Sequence, residues 1–296
     1  MTNFADRLAD ASRAKDSVVV LGIDPQLDAA GVPGIPPGYT LARFCCEIVE
    51  ACAHSAIAVK PQLAFYEARG LDGMRAFCEV VKTARRLGLI TIADAKRGDI
   101  GTTSAAYAEA FLGEGDFNCD AVTVNPYQGS DALMPFIAKV KSGGRGVFVL
   151  VKTSNPSSGE FQDRNAPNRP IWESVAERVN GWGGDFVGAS GLSSVGAVVG
   201  ATYPVEARRA RELMPAATIL VPGYGAQGGT AADAVASARA DGTGFIVNAS
   251  RSLMYAYRKK EGAQPIEAAA EYAEAMRVEI NAALATRSTE ALARTA

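Results

Sequence analysis

Short runs of β-branched and other apolar residues recur along the whole chain, and most are followed by a stretch with helical periodicity. The runs are Val18–Asp24, Ala56–Pro61, Leu89–Lys96, Ala121–Pro126, Gly146–Thr153, Phe186–Ser190, Thr218–Pro222 and Gly244–Ala249. Between or after them, Leu41–Ala53, Gly73–Leu87, Ala105–Leu112, Trp172–Val179, Ala231–Ala240 and Pro265–Ala285 place apolar residues and good helix formers at helical spacing. A repeat of about 25–40 residues fits a strand–loop–helix–loop unit, and strands alternating with helices predict a parallel sheet. Eight units without a break in composition favour an α/β fold of the closed (β/α)8 barrel type. It would be a single domain over residues 1–296 with a frayed tail from about residue 287. An open doubly wound sheet is the alternative arrangement of the same elements.

The downstream end of each run breaks the apolar pattern. In order these ends are Gly22-Ile23-Asp24-Pro25, Val59-Lys60-Pro61-Gln62, Asp94-Ala95-Lys96-Arg97-Gly98-Asp99, Asn125-Pro126-Tyr127 and Lys152-Thr153-Ser154-Asn155. Gly188–Gly191, Pro222–Gly229 and Asn248–Ser252 complete the set. In a closed barrel such ends converge on one mouth, where active sites sit. Residues two apart share a strand face, so Ile90, Ile92, Asp94 and Lys96 point the same way. Asp24 follows Val20 and Gly22 in the same manner, and Lys60 follows Ala56 and Ala58. An isolated Asp–Lys pair at a strand end reads most simply as an ordinary ion pair. Lys60, Asp94, Lys96 and Asp99 together make a set of alternating sign at one mouth. Buried charges persist only when paired, and such a set keeps its lysines protonated and its aspartates ionised.

A second cluster suits an anion. Pro222–Gly229 is a glycine-rich turn after the seventh run that leads into helix-forming sequence, and Arg251 follows the eighth. Loops after strands seven and eight are the recurrent phosphate site of these barrels. Gly223, Gly225, Gly228 and Gly229 would let backbone N–H groups approach the anion. A helix N-terminus would add partial positive charge, and Arg251 could bind phosphate in bidentate fashion. Neither a Gly-x-x-x-x-Gly-Lys-Ser/Thr loop nor a Gly-x-Gly-x-x-Gly after the first strand is present, which disfavours nucleoside triphosphates and dinucleotides.

Bulk properties narrow the class further. Of the 296 residues 48% are apolar, enough for a large core, and a net charge of −2 argues against a nucleic-acid binder. Cys45, Cys46, Cys52, Cys78 and Cys119 have no metal-ligand spacing and read as reduced thiols used as small apolar side chains. Cys52 and the only histidine, His54, point in different directions on a helix, against a metal site or a histidine-dependent hydrolase. No signal-peptide pattern or membrane-length apolar run is seen, so a cytoplasmic location with no membrane partner is expected. Asn155–Pro170, polar and long, is a candidate lid.

Asp94-x-Lys96-x-x-Asp99-Ile100, Lys60 one strand earlier, and Pro222-Gly223-x-Gly225-x-Gln227-Gly228-Gly229 resemble the orotidine 5′-monophosphate decarboxylase family, from about Val18 to Ser252. Ala58-Val59-Lys60-Pro61-Gln62, Asn125-Pro126-Tyr127 and Thr153-Ser154-Asn155-Pro156 are similar to its longer bacterial subgroup. Magnesium-dependent sugar-phosphate decarboxylases and hexulose-phosphate synthases share the Asp-x-Lys-x-x-Asp motif, but typically carry an acidic residue in place of Lys60. The resemblance implies cofactor-free, metal-free conversion of orotidine 5′-monophosphate to uridine 5′-monophosphate, the last step of de novo pyrimidine nucleotide synthesis. It implies that Asp24 and Lys60 bind the ribose hydroxyls, that Asp94 lies against the substrate carboxylate, and that Lys96 is the proton donor. Ser154 would meet the pyrimidine, and Pro222, Gln227 and Arg251 the rest of the nucleotide, with Gln227 and Arg251 on the phosphate. Asp99 and Thr103 would complete the neighbouring site of a homodimer. The stretch Asn155–Gly159 departs from the His-Pro-Gly of shorter members. A Schiff-base aldolase using Lys60 or Lys152, or a non-catalytic nucleotide-binding barrel, would use part of the same residue set.

Overall fold

The computed structural model describes residues 2–29 and 33–295. Eight parallel strands close into a barrel in sequence order: β1 Val19–Ile23, β2 Ala58–Pro61, β3 Ile90–Arg97, β4 Ala121–Val124, β5 Gly146–Lys152, β6 Ser193–Val199, β7 Ala217–Val221 and β8 Phe245–Ala249. Each strand pairs with the next, and β1 pairs with β8. Helices on the outside supply the crossovers that parallel neighbours require. The strands are buried on both faces, which is why they read as nearly continuous apolar runs. Val20, Ala58, Ile90, Ile92, Ala121, Phe148, Val198, Leu220 and Ile246 fill the lumen, while the larger apolar cluster lies between strands and helices.

The sixth strand is not where the apolar pattern placed it. Residues Phe186–Ser190 do not form a strand; β6 begins at Ser193. Val187–Leu192 is a tight reversal in which Gly188 N–H donates to the Leu192 carbonyl and Gly191 sits at φ +72°. The Asp6 carboxylate accepts from the Ala189 and Ser190 N–H groups and pins this turn at the bottom of the barrel. The true strand was hidden because Ser193, Ser194 and Gly196 dilute its apolar run, although all seven of its residues are buried. Gly188–Gly191 is therefore not a strand end at the mouth.

Helix Phe4–Lys15, which periodicity did not single out, closes the N-terminal end of the barrel. Asn3 caps it by accepting from Ala5 N and Asp6 N. Phe4 and Leu8 sit in the lumen cluster, with Phe4 edge-on to Phe148 at 6.0 Å between ring centroids. Gly146 has no side chain because a Cβ there would lie 2.4 Å from the Phe4 ring. Arg7 joins Asp120 at 2.6 Å, and Asp120 also accepts from the Thr91 hydroxyl and N–H. Ser130–Gly143 and Pro204–Leu213 are two further helices, whereas the expected Ala231–Ala240 helix is only Ala231–Ala234 followed by a 3-10 turn, Val235–Ser237. At the other end, helix Pro265–Thr295 packs along the outside of the barrel. Arg287 bonds the Ala238 and Arg239 carbonyls and ties that segment to the barrel.

Removing the Phe4 ring leaves a cavity against Phe148 that the barrel floor cannot collapse to fill. Phe4→Ala is expected to lower the unfolding free energy by about 3–5 kcal/mol, read as a lower denaturant midpoint at unchanged m-value. A loss below about 1 kcal/mol would mean that the helix is not seated under the barrel in solution.

Candidate active site

At the C-terminal end of the barrel a cavity of about 450 Å³ opens between the strand ends. Asp24, Lys60, Asp94, Lys96, Ser154, Pro222, Gln227 and Arg251 all line it. These eight residues come from six strand ends, far apart in sequence. A catalytic mouth of this kind requires that convergence.

The centre of the site is the carboxylate of Asp94. Lys60 Nζ lies 2.5 Å from one oxygen and Lys96 Nζ 2.5 Å from the other. Gln62 Nε2 donates to the first oxygen at 3.0 Å, and the Thr123 hydroxyl to the second at 3.1 Å. Lys60 and Asp94 are buried, while the Lys96 side chain is 43% exposed and so reaches into the cavity. Burial alone would raise the Asp94 carboxyl, but the Lys60 and Lys96 ammoniums outweigh it and hold it well below the ordinary carboxylate range. Burial would likewise depress Lys60, yet Asp94 and Asp24 outweigh that and push it up. Asp94 therefore contributes stability above about pH 4 that is lost as pH falls through its depressed folded value, and Lys60 contributes stability that is lost only at high pH.

Strand parity alone does not place both ammoniums on one carboxylate. The β3–β4 register shifts between Ala93↔Val122 and Arg97↔Val124, so that Asp94, Ala95 and Lys96 stand opposite Thr123 alone. Lys96 adopts φ +47°, a conformation uncommon for a residue with a side chain. Its N–H donates to the Thr123 hydroxyl oxygen at 2.9 Å, so Thr123 holds both the strained backbone and the carboxylate. Thr123 and Gln62 were absent from the expected set. Thr123 was detectable as the polar member of the alternation Ala121, Thr123, and Gln62 as the next member of the face Ala56, Ala58, Lys60.

Asp99 does not join this network within its own chain. It lies outside the cavity, and its carboxylate accepts from the N–H of Ile100. Thr103 is exposed on helix Gly101–Leu112. Asp24 is the second acid beside Lys60. Its Oδ1 is buried with no hydrogen-bond partner among the described residues, and burial raises its carboxyl above the ordinary value despite Lys60. Asn248, at the strand end before Arg251, also faces the cavity, and its buried Oδ1 has no partner among the described residues.

The glycine-rich loop differs from expectation in how it works. The N–H groups of Gly225, Gly228 and Gly229 already donate to loop carbonyls, so these glycines shape the turn and do not line the cavity. Gly223, Gly225 and Gly228 have φ of +98°, +72° and +90°, which a side chain would strain. Gly223 also backs the site, since a Cβ there would lie 3.1 Å from Gln227 Oε1. The following helix carries a capping box in which the Thr230 and Asp233 side chains satisfy each other's N–H groups. Gln227 and Arg251 remain as the polar groups on that wall, and the exposed Arg251 guanidinium makes no ion pair among the described residues. Lys152 does not reach the cavity. Its ammonium is fully buried against Asp163 at 2.7 Å and beneath the Tyr203 ring. His54 is paired with Glu274 outside the site, and burial pushes the Cys45, Cys52 and Cys119 thiols up to about 12.

The model of the orotidine 5′-phosphate decarboxylase / HUMPS family matches residues 17–288. The chain belongs to this family. It is similar to the orotidine 5′-phosphate decarboxylase of Rhodopirellula baltica, 42% identical over 277 residues, which are 88% of this chain and 91% of that protein. The corresponding protein of Deinococcus radiodurans is 41% identical over 95% of this chain and 98% of its own length. Among solved structures, Leishmania donovani OMP decarboxylase superposes with a TM-score of 0.73 at 36% identity, over 94% of this chain and 99% of that one. No described helix is long and apolar enough to cross a membrane.

A carboxyl with a raised folded pKa binds its proton more tightly in the folded than in the unfolded chain. Ionising Asp24 therefore costs stability as the pH rises from about 4 through the folded value. Asp24→Asn is expected to melt at a higher temperature than the wild type at pH 7, with the gap narrowing towards about pH 4. A lower melting temperature for the variant at neutral pH would show that its pairing with Lys60 outweighs burial.

Proposed function

We propose that the chain decarboxylates orotidine 5′-monophosphate to uridine 5′-monophosphate, the last step of de novo pyrimidine nucleotide synthesis, without a cofactor, and with Lys96 as the proton donor. The observation that carries this reading is one buried carboxylate, Asp94, held between two ammoniums, one of which faces a cavity that also contains Arg251. The family also contains HUMPS proteins. Lys60 favours the decarboxylase. Its ammonium occupies the space beside Asp94 and Asp24, where a divalent ion would need further oxygen ligands. The same pairing argues against a Schiff-base role for Lys60, which needs a lowered pKa, and Lys152 is turned away from the cavity.

The chemistry follows from these placements. The C6–carboxylate bond breaks, carbon dioxide leaves, and the electron pair stays on ring carbon C6. The Lys96 ammonium beside C6 stabilises that charge and transfers its proton to form C6–H; the neutral amine then regains a proton from solvent. Asp94 lies against the substrate carboxylate and fixes the Lys96 ammonium. The buried Asp24 oxygen without a partner suits a ribose hydroxyl donor, with Lys60 on the same sugar edge. Ser154 meets the pyrimidine, and Gln227 and Arg251 hold the phosphate, whose binding energy is used to position the ring. Asp99 and Thr103 serve the mouth of a second subunit. Thr103 is exposed and Asp99 half-buried, and the exposed apolar side chains Ile100 and Tyr127 support a homodimer face there.

Chelator-treated wild type is expected to consume orotidine 5′-monophosphate, followed by loss of its absorbance, and Lys96→Ala to lose nearly all turnover while still binding uridine 5′-monophosphate. Dependence on added magnesium, or substantial turnover by the variant, would sink the assignment. The shared site has its own check. Asp99→Ala and Lys96→Ala chains, each inactive alone, are expected to regain about a quarter to a half of wild-type activity as mixed dimers, because one of the two mouths is then intact. Verified heterodimers without activity would remove Asp99 from the neighbouring site.

A further inference from the structure

Among the described residues, Lys152 is the one fully buried ammonium that the chemistry above does not use. It stands at the end of β5, where the β5–β6 register shifts between Leu150↔Val198 and Lys152↔Val199. The shift turns Lys152 out of the lumen, although Phe148 and Leu150 of the same strand face it. Its ammonium bonds Asp163 Oδ1 at 2.7 Å and Ser158 Oγ at 3.3 Å, and lies 4.5 Å from the centre of the Tyr203 ring. Asp163 and Ser158 belong to the long polar segment after β5, so the buried charge pulls that segment back onto the strand that precedes it. A second link runs beside the first. Gln162 Oε1 accepts from Thr153 N at 3.0 Å, and Gln162 Nε2 donates to Thr153 Oγ1 at 2.7 Å. Thr153 Oγ1 in turn donates to Asn155 Oδ1 at 2.7 Å.

Thr153, Ser154 and Asn155, the residues enclosed by these two links, line the cavity. Ser154 is also pressed against Gly200, where a Cβ would lie 2.8 Å from its own Cβ. We propose that Lys152 and Asp163 are positioning residues: their ion pair clasps residues 153–163 into a closed loop and fixes the wall that meets the pyrimidine ring. The assignment of that wall to the pyrimidine rests on the proposed function; the clasp itself rests on the contacts. The candidate lid after β5 begins as a folded loop, with a 3-10 turn at Pro156–Glu160, and Asp163 and Gln162 bonded back to Lys152 and Thr153. Lys152 is fully buried and Asp163 is its one carboxylate partner among the described residues, so losing Asp163 leaves a buried cation without a counter-charge.

The experiment uses Asp163→Leu, Lys152→Met and the double variant in the full-length protein. Two ligands share the sugar phosphate but differ in the ring: uridine 5′-monophosphate and ribose 5-phosphate. The clasp predicts that Asp163→Leu weakens the nucleotide about ten-fold or more and ribose 5-phosphate less than about two-fold, since misplacing a positioning group acts only on what it positions. The double variant is expected to be no worse than Lys152→Met, as for two residues in one interaction. Hydrogen exchange is expected to quicken in Asp163→Leu at the Thr153 and Gln162 amides, with the β1–β4 amides unchanged. Equal weakening of both ligands, or unaltered exchange at Thr153 and Gln162, would overturn the clasp. The expected quickening in Asp163→Leu together with a wild type that has no turnover would instead overturn the proposed function.

Discussion

Everything at the mouth depends on the carboxylate of Asp94 being shared between two ammoniums. A buried carboxylate with one lysine would be a stable and unreactive ion pair. With two, each oxygen is fully engaged, and the more exposed lysine is held at a fixed point in the cavity. Desolvating the Lys60 and Asp94 charges costs several kcal/mol per ion unless the geometry is near ideal, and Gln62 and Thr123 supply the remaining hydrogen bonds. The arrangement also needs a bulge in β3 and a positive φ at Lys96, both secured by Thr123. One threonine on β4 thus supports the strained backbone and the charge that the strain serves.

The barrel separates this strained end from a relaxed one. At the bottom, Phe4 and Leu8 seal the lumen with apolar contacts, and Arg7, Asp6 and Asp120 complete their hydrogen bonds to neighbouring loops. At the top, Asp24 and Asn248 keep buried oxygens with no partner among the described residues, and the Asp24 carboxyl is pushed up by its burial. Unpaired buried acceptors are costly in a free protein and useful where a ligand brings the missing donors. Stability from one end supports that cost at the other, as the opposite stability effects expected for Phe4→Ala and Asp24→Asn would show.

Much of this was legible in the residues because strand periodicity is short. Asp94 and Lys96 are two apart behind Ile90 and Ile92, so the pleat marks both for the mouth, and the bulge and positive φ then set the Lys96 ammonium on Asp94. The order of strands in a closed barrel then places Lys60 beside them and Arg251 at the same mouth. Where the pattern failed, a local feature was overridden by long-range contacts. The run Phe186–Ser190 looked like a strand but is a turn held by Asp6, more than 180 residues away. The weakly apolar Ser193–Val199 became the strand because both of its neighbours were waiting to pair. In the glycine-rich loop after β7 the N–H groups of Gly225, Gly228 and Gly229 donate to carbonyls of the same loop, which no spacing rule could show.

The amino-acid sequence by itself determined the barrel, the mouth and the chemical types gathered there: two lysines, two aspartates within the cavity and an arginine across it. Those follow from periodicity and strand order, which are local and additive. Only the tertiary structure decided which atoms meet. It turned Lys152 away from the cavity, left Asp99 outside its own chain's site, and brought Thr123 and Gln62 to Asp94. The reason is that a hydrogen bond or a buried ion pair is settled within a few tenths of an ångström. Register shifts in β3 and β5 move side chains by far more than that, and such shifts depend on the neighbouring strand, not on the residues of the strand itself.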